Sequence, residues 1–317
     1  EVVGSWTTQE YLNLAFFFSN GVTANLGSPL EGAYYDKNGC ISYANHINEQ
    51  GQIVGVSTIL EPPTDQAFII NSTDSLQASS LINPYPLSVS TSALAINEAA
   101  QVVGYGLYEG FYFFPLLFVN GTVFNLENAL GSSVDINDVY GPDGIGQIIG
   151  YLYDFDESMN DNYYSPYVYI NGEMSIFAKE LCPQSIQGCQ FTAINNKGQI
   201  VGINIFENNN PSPATGFLYD LNTQELTQLE FRPYDINDLG WIIGEASQQN
   251  GPLFQVNAYL YINGTQYDLL DLLPESSTTN LTQLSPTAIN NQGQIVCTAY
   301  YGSTNNAPVG VILNPLN

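Results

Sequence analysis

A single histidine, His46, serves a chain of 317 residues. That scarcity excludes zinc sites built on several histidines, and a lone histidine beside the first strand of a repeat reads as a structural residue rather than a general base. Lys and Arg together number 4 against 30 Asp and Glu, a formal net charge of −26. A chain so poor in cations cannot displace counterions from a phosphate backbone, so nucleic acid is excluded as a partner. Anionic membrane surfaces are disfavoured on the same ground. Charged residues make up only 11% of the chain, so its surface is built from Asn, Gln, Ser, Thr and Tyr, as on many secreted and cell-surface proteins. No segment reaches the roughly 18 uninterrupted apolar residues of a membrane helix. The longest aromatic run, Phe111 to Val119, is short and interrupted by Pro115. A basic start followed by an apolar run is also missing, so any signal peptide is expected to have been removed. No phosphate-binding glycine loop or dinucleotide fingerprint occurs, and no organic cofactor is expected.

Cysteine is scarce as well. Four residues are too few for a disulfide scaffold. Cys182 and Cys189 bracket one short segment and are expected to staple it, because a metal site would need nearby His or further Cys. The pairing of Cys40 and Cys297 is left open.

What the chain does have is repetition. Ile47-Asn48-Glu49-Gln50-Gly51-Gln52-Ile53-Val54-Gly55 returns at Ile96, Ile136, Ile194, Ile236 and Ile289, and Val2-Val3-Gly4 is a copy without its Ile-Asn half. In the copy at Ala193, Ala193-Ile194-Asn195 reads as a short strand. Asn195 to Gly198 reads as a turn in which Asn bonds its own backbone and Gly accepts positive φ. Gln199 to Ile203 is then a β-branched return strand. After a variable loop come a third strand, Gly216 to Tyr219, and a fourth, Glu225 to Leu229. Elsewhere the third and fourth strands meet at Asn-Gly, at Asn20, Asn120, Asn171 and Asn263, the strongest short-range hairpin signal in a sequence. The second unit is degenerate there, with Asn71-Ser72-Thr73-Asp74. Only Ser175 to Leu181 offers a turn or two of helix.

The unit is thus four short antiparallel strands recurring at about 49 residues, the size of a propeller blade. One such sheet cannot bury both faces alone, and stacked blades can. The expectation is an all-β chain, residues 1–317 forming a single β-propeller domain of four-stranded antiparallel blades. A solenoid of stacked hairpins is the rival architecture. Ile-Asn-x-x-Gly-Gln-Ile-Val-Gly followed by an apolar strand, Asn-Gly and a further strand resembles the HAF-type extracellular repeat over nearly the whole chain. That resemblance implies a secreted, propeller-like array, with no catalytic residues to carry over. The chain departs from the pattern at Cys297 (for Gly), in the long turn 138–146 and in the second unit.

Second and third strands occur seven times, fourth and first strands six. Seven blades with incomplete terminal ones are therefore favoured, six as the alternative. Three explanations stand: a chain trimmed at its start, a six-bladed ring with a spare hairpin, or a neighbouring subunit supplying strands by β-augmentation. The last makes head-to-tail contacts, which build filaments when the rotation does not close.

Candidate chemistry is thin. Asp135 and Asp235 precede the Ile-Asn motif where other copies have Ala; a bond to a nearby turn and a carboxylate pair of glycosidase type are the two readings. Asp154, Asp156 and Asp161 lie in the densest acidic segment and are the candidate Ca²⁺ ligands, although the mid-loop Gly and closing Glu of an EF-hand are missing. Asn71, Asn120, Asn263 and Asn280 head Asn-X-Ser/Thr sequons and are candidate glycosylation sites. Tyr34-Tyr35, Tyr163-Tyr164 and Tyr300-Tyr301 would suit a protein- or glycan-binding face. The expected function is a non-catalytic, secreted or cell-surface structural and adhesive protein that self-assembles through its incomplete blades or meets another surface protein or glycan. The alternative is a carbohydrate-binding module or glycan-cleaving enzyme using Asp/Glu and Tyr.

Overall fold

A computed structural model describes residues 1–7, 13–27, 41–60, 63–71, 76, 78–81, 90–108, 112–126, 135–142, 146–156, 161–177, 181–182, 187–205, 215–250, 253–274, 279–302 and 308–315. Seven antiparallel sheets follow one another in chain order. The first holds β1 (Val2–Thr7), β2 (Asn13–Ser19) and β3 (Val22–Gly27). The second holds β4 (Ser42–Ile47), β5 (Ile53–Leu60), β6 (Pro63–Ile70) and β7 (Ala78–Ser80). The third has β8 (Ser90–Ile96), β9 (Val102–Tyr108), β10 (Tyr112–Val119) and β11 (Thr122–Asn125), and the fourth β12 (Asp135–Pro142), β13 (Ile148–Asp156), β14 (Asp161–Ile170) and β15 (Glu173–Ile176). The fifth has β16 (Cys189–Ile194), β17 (Gln199–Asn204), β18 (Gly216–Asp220) and β19 (Leu226–Leu229). The sixth has β20 (Arg232–Ile236), β21 (Ile242–Asn250), β22 (Leu253–Ile262) and β23 (Thr265–Asp268), and the seventh β24 (Leu281–Ile289), β25 (Ile295–Tyr301) and β26 (Val309–Leu313). Five sheets have four strands, and the first and seventh have three, among the described residues. This is the expected all-β arrangement of meandering blades, seven in number. By contact the chain divides into two compact units, residues 1–154 with 167–175, and residues 155–166 with 176–317.

The turn chemistry follows the residues. Asn20, Asn120, Asn171 and Asn263 take φ near +50°, and the glycines after them are also positive, so both central residues are left-handed and the strands leave with matched twist. At the turn between first and second strands, Asn195 Oδ1 accepts from Lys197 N and Gln199 N, both at 3.0 Å, while Gly198 takes φ of 74°. Asn48, Asn97, Asn237 and Asn290 repeat that pattern.

A bulge interrupts the first strand of the second, third, fifth, sixth and seventh sheets, at Ala44/His46, Ala93/Ala95, Phe191/Ala193, Pro233/Asp235 and Pro286/Ala288. It explains the Gly of Ile-Val-Gly. A Cβ on Gly55 would collide with the Tyr43 carbonyl oxygen and with the Phe68 ring, and one on Gly244 with the Arg232 carbonyl. The vacancy above Gly55 is filled by the Phe68 ring and that above Gly202 by the Phe217 ring, each from the paired third strand, while the Phe231 ring sits over Gly244. In the seventh sheet Cys297 stands in place of Gly and pairs with Val311, so one site has exchanged a ring for a smaller partner and a side chain.

Within each unit, apolar faces of successive sheets close on each other. Val54 and Ala67 of the second sheet pack with Ala93, Ile96, Val102, Phe114, Leu116 and Phe118 of the third. Ile243, Ala258 and Leu260 of the sixth pack with Leu284, Ile289, Ile295, Cys297 and Ala299 of the seventh. Each buried Phe, Leu or Ile contributes about 1.5–3 kcal/mol by leaving water.

Two local expectations need correction. Ser175 and Ile176, read as a start of helix, end strand β15, and no α-helix occurs among the described residues. The long turn 138–146 is shorter than expected because β12 runs on to Pro142, pairing Val139 with Gly150 and Tyr140 with Ile149.

Candidate functional site

The repeated Asn does more than shape its own turn. Its Oδ1 is occupied by two backbone N–H groups, and its Nδ2 reaches the next sheet. Asn48 Nδ2 donates to Asn97 O at 3.0 Å, Asn195 Nδ2 to Asn237 O at 2.9 Å and Asn237 Nδ2 to Asn290 O at 2.9 Å. The neighbouring position adds an exposed link: Glu49 N donates to Glu98 Oε1, Asn196 N to Asp238 Oδ1 and Asp238 N to Asn291 Oδ1. The polar atoms of the motif are therefore spent on shaping its own turn and on holding one sheet to the next. The repeat is masonry, not a binding signature.

The position just before Ile-Asn does similar work where it is polar. Asp235 accepts from Ile236 N and from Ile289 N of the seventh sheet, each at 2.8 Å. Burial pushes its carboxyl up to about 6, and the two backbone donors oppose that rise. Asp235 thus bonds across to the next sheet's motif, while the side chain of Asp135, on β12, lies outside the described residues. His46 takes the equivalent place in the second sheet. Its surface reaches solvent, yet protein crowds the ring and holds its pKa below the ordinary value, with the Ile96 backbone pulling the other way.

One cluster was not visible in the sequence reading. Glu245, on β21, accepts from Tyr234 Oη at 3.0 Å on its own sheet and from Ser285 Oγ at 2.5 Å on the next. Arg232 pairs across the ladder from it. Burial, then the charge of Glu245, lifts the Tyr234 hydroxyl to about 12, and the same two causes lift the buried Cys297 thiol to about 12. Both groups are thus held in their neutral forms, and a thiol so held is a poor nucleophile. The available signal was Glu245 directly after Ile-Ile-Gly, where other copies carry Val56, Tyr105 or Ile203.

The remaining candidates are scattered. Asp154 and Asp156 close β13 and Asp161 opens β14, so these three sit on the two strands of one hairpin rather than in a single loop, with their side chains outside the described residues. No group of three metal-ligating side chains occurs among the described residues. Cys182 and Cys189 are joined and buried, Cys297 is free, and Cys40 lies outside the described residues, as do Tyr34 and Tyr35. Tyr163 and Tyr164 belong to β14, and Tyr300 on β25 is exposed. Asn71, Asn120, Asn263 and Asn280 are all exposed.

The strand edges of the first and seventh sheets differ from the others. Val2 and Val3 on β1 are half-buried, whereas their counterparts Ile53, Val54, Ile200, Val201, Ile242 and Ile243 are fully buried. Val309 on β26 is 49% exposed, while Phe68 and Phe217 on the corresponding strands show no surface. Neither β1 nor β26 has a second pairing partner among the described residues. Both strands lack charge and proline, and their ladders to β2 and β25 run without a register shift.

No protein-family model matches the chain, and no characterised protein sequence matches it either. Solved structures do. The β-propeller domain of the Trilobed protease from Pyrococcus furiosus, described as having an open velcro topology, is similar with a TM-score of 0.63 at 10% identity, over 98% of this chain and 88% of that one. An acylaminoacyl peptidase of Pyrococcus horikoshii gives 0.60 at 11% identity, over 98% of this chain and 48% of that one. A prolyl endopeptidase gives 0.52 at 12% identity, over 79% and 38%. The chain thus spans less than half the length of these two peptidases. At such identity the likeness concerns the fold alone: the chain is a β-propeller.

Proposed function

We propose that this is an extracellular, non-catalytic structural propeller whose copies join head to tail, the open edge of β26 on one copy pairing with the open edge of β1 on the next. The observation that carries the reading is the state of those edges. Soluble β proteins blunt an edge with Lys, Pro, a bulge or a cover, because a bare row of N–H and C=O groups recruits other strands. Here both strands are apolar, uncharged and regular. In a chain of net charge −26 they are places where two copies approach without like charges meeting. One edge meeting a different edge is a heterologous contact, and repeated it yields a filament. The disulfide Cys182–Cys189, the exposed sequons and the HAF-type resemblance support an extracellular setting.

Light scattering and negative-stain electron microscopy on the purified chain test this. Concentration-dependent linear assemblies are expected, and a strictly monomeric protein at high concentration would overturn it. The rival reading, a carbohydrate-binding face, draws on the exposed rings of Tyr267 and Tyr300. A glycan array with no binding, together with no release of reducing sugar, removes it.

A further inference from the structure

Between the second and third sheets, within the first unit, lies a cleft of about 260 Å³. Its floor is apolar, formed by Ile69, Leu81, Val102, Phe118 and Val123. Ile69, Leu81 and Val123 are only partly buried against the core beneath them, so they keep surface that nothing among the described residues covers. Two residues of the lining are polar and special: Asn71 and Asn120, one on each sheet, and each heads a sequon.

We propose that Asn120 carries an N-linked glycan whose first sugar, an acetamido hexose, folds back into this cleft. Asn120 is exposed at a hairpin turn with φ of 49°, on the rim of the cleft. Asn71 stands on the opposite sheet, its Oδ1 accepting from Gln52 Nε2 at 3.4 Å. It remains as a polar partner for sugar hydroxyls on the far rim, with Thr122 on the near one. An acetamido sugar matches that distribution, since its ring C–H face and acetyl methyl seek apolar surface and its hydroxyls seek amides. The cleft is below the usual range of about 300–1,000 Å³ for drug-sized ligands, which suits a single ring better than a larger molecule.

The same turn in the sixth sheet provides the internal control. Asn263 heads the sequon Asn263-Gly264-Thr265 at a turn of the same left-handed geometry, and all three residues are exposed, but the cleft at Asn120 is lined by other residues. Protein from its native source is examined by peptide mass spectrometry at both sites and by thermal melting. Thr122→Ala abolishes the first sequon without disturbing the left-handed Asn, and Thr122→Ser preserves it. Thr265→Ala abolishes the control sequon. Expected are hexosamine on Asn120 and a fall in Tm of about 2–4 °C for Thr122→Ala. Thr122→Ser should restore the sugar and the Tm, and Thr265→Ala should shift Tm by less than about 1 °C. An unmodified Asn120 overturns the proposal, and so does an equal shift for the two alanine variants.

Discussion

The second and seventh sheets are built from the same repeat, yet they solve burial differently. In the second sheet β5 is flanked on both sides, Ile53 and Val54 are sealed, and Gly55 leaves room for the Phe68 ring. In the seventh sheet the outermost strand, β26, presents Val309 to solvent, and the glycine position holds Cys297 opposite Val311. The sequence signature survives in both. What changes is the neighbourhood: opposite Gly55 the third strand presents the Phe68 ring, whereas opposite Cys297 it presents the smaller Val311, which leaves room for a side chain at the bulge. The comparison teaches that the repeat encodes a position in a stack, not merely a hairpin.

The largest effect expected from breaking the contrast is at the open edge. Val309→Lys places a charge on β26 at an exposed site, so it should abolish assembly seen by light scattering while changing monomer stability by no more than about 0.5 kcal/mol. Unchanged assembly would show that β26 is not the joint. Next comes the bulge. Gly244→Val drives a side chain into the Arg232 carbonyl and should cost about 3 kcal/mol or more, measured by urea unfolding, whereas Cys297→Val in the seventh sheet should cost about 1 kcal/mol. Equal costs would refute the relaxed packing around Cys297.

The inter-sheet staple gives a finer distinction. Asn195→Ala removes two turn bonds, a bond to Gln199 and the bond to Asn237 O, whereas Asn290→Ala removes two turn bonds and a bond to Gln294 only. Asn195→Ala should be the more destabilising by about 1 kcal/mol, the worth of the bond that crosses sheets, as read by urea unfolding. The smallest effect concerns pH. The carboxyl of Asp235 titrates near 6 in the fold, above its ordinary value, so the fold favours the protonated form. Its stabilising contribution is full below about pH 4 and is lost as pH rises through about 6. Asp235→Asn should flatten the melting temperature across that window, and an unchanged slope would assign it to other groups.

Much of the fold could be read from the chain because its determinants are local. Asn-Gly specifies left-handed turns, and Asn195 caps its own turn within four residues. The crossing bonds could not be read, because their partners lie 42 to 53 residues apart and depend on how sheets stack. Gly55 and Gly244 were legible as constants but not as the partners of a bulge, since the bulge arises on the opposite strand. The Glu245 cluster was hidden for the same reason: Ser285 is 40 residues away. The acidic segment misled because a run of carboxylates resembles a loop, whereas apolar and aromatic neighbours such as Phe155 extend β13 through it.

The Asn staples all point one way. Asn48 donates to residue 97, Asn195 to 237 and Asn237 to 290, always from the earlier repeat to the later one. In these three repeats the donor is therefore made before its acceptor as the chain leaves a ribosome. Each holds out an amide that the following repeat comes to satisfy, so the stack has a built-in direction from N- to C-terminus.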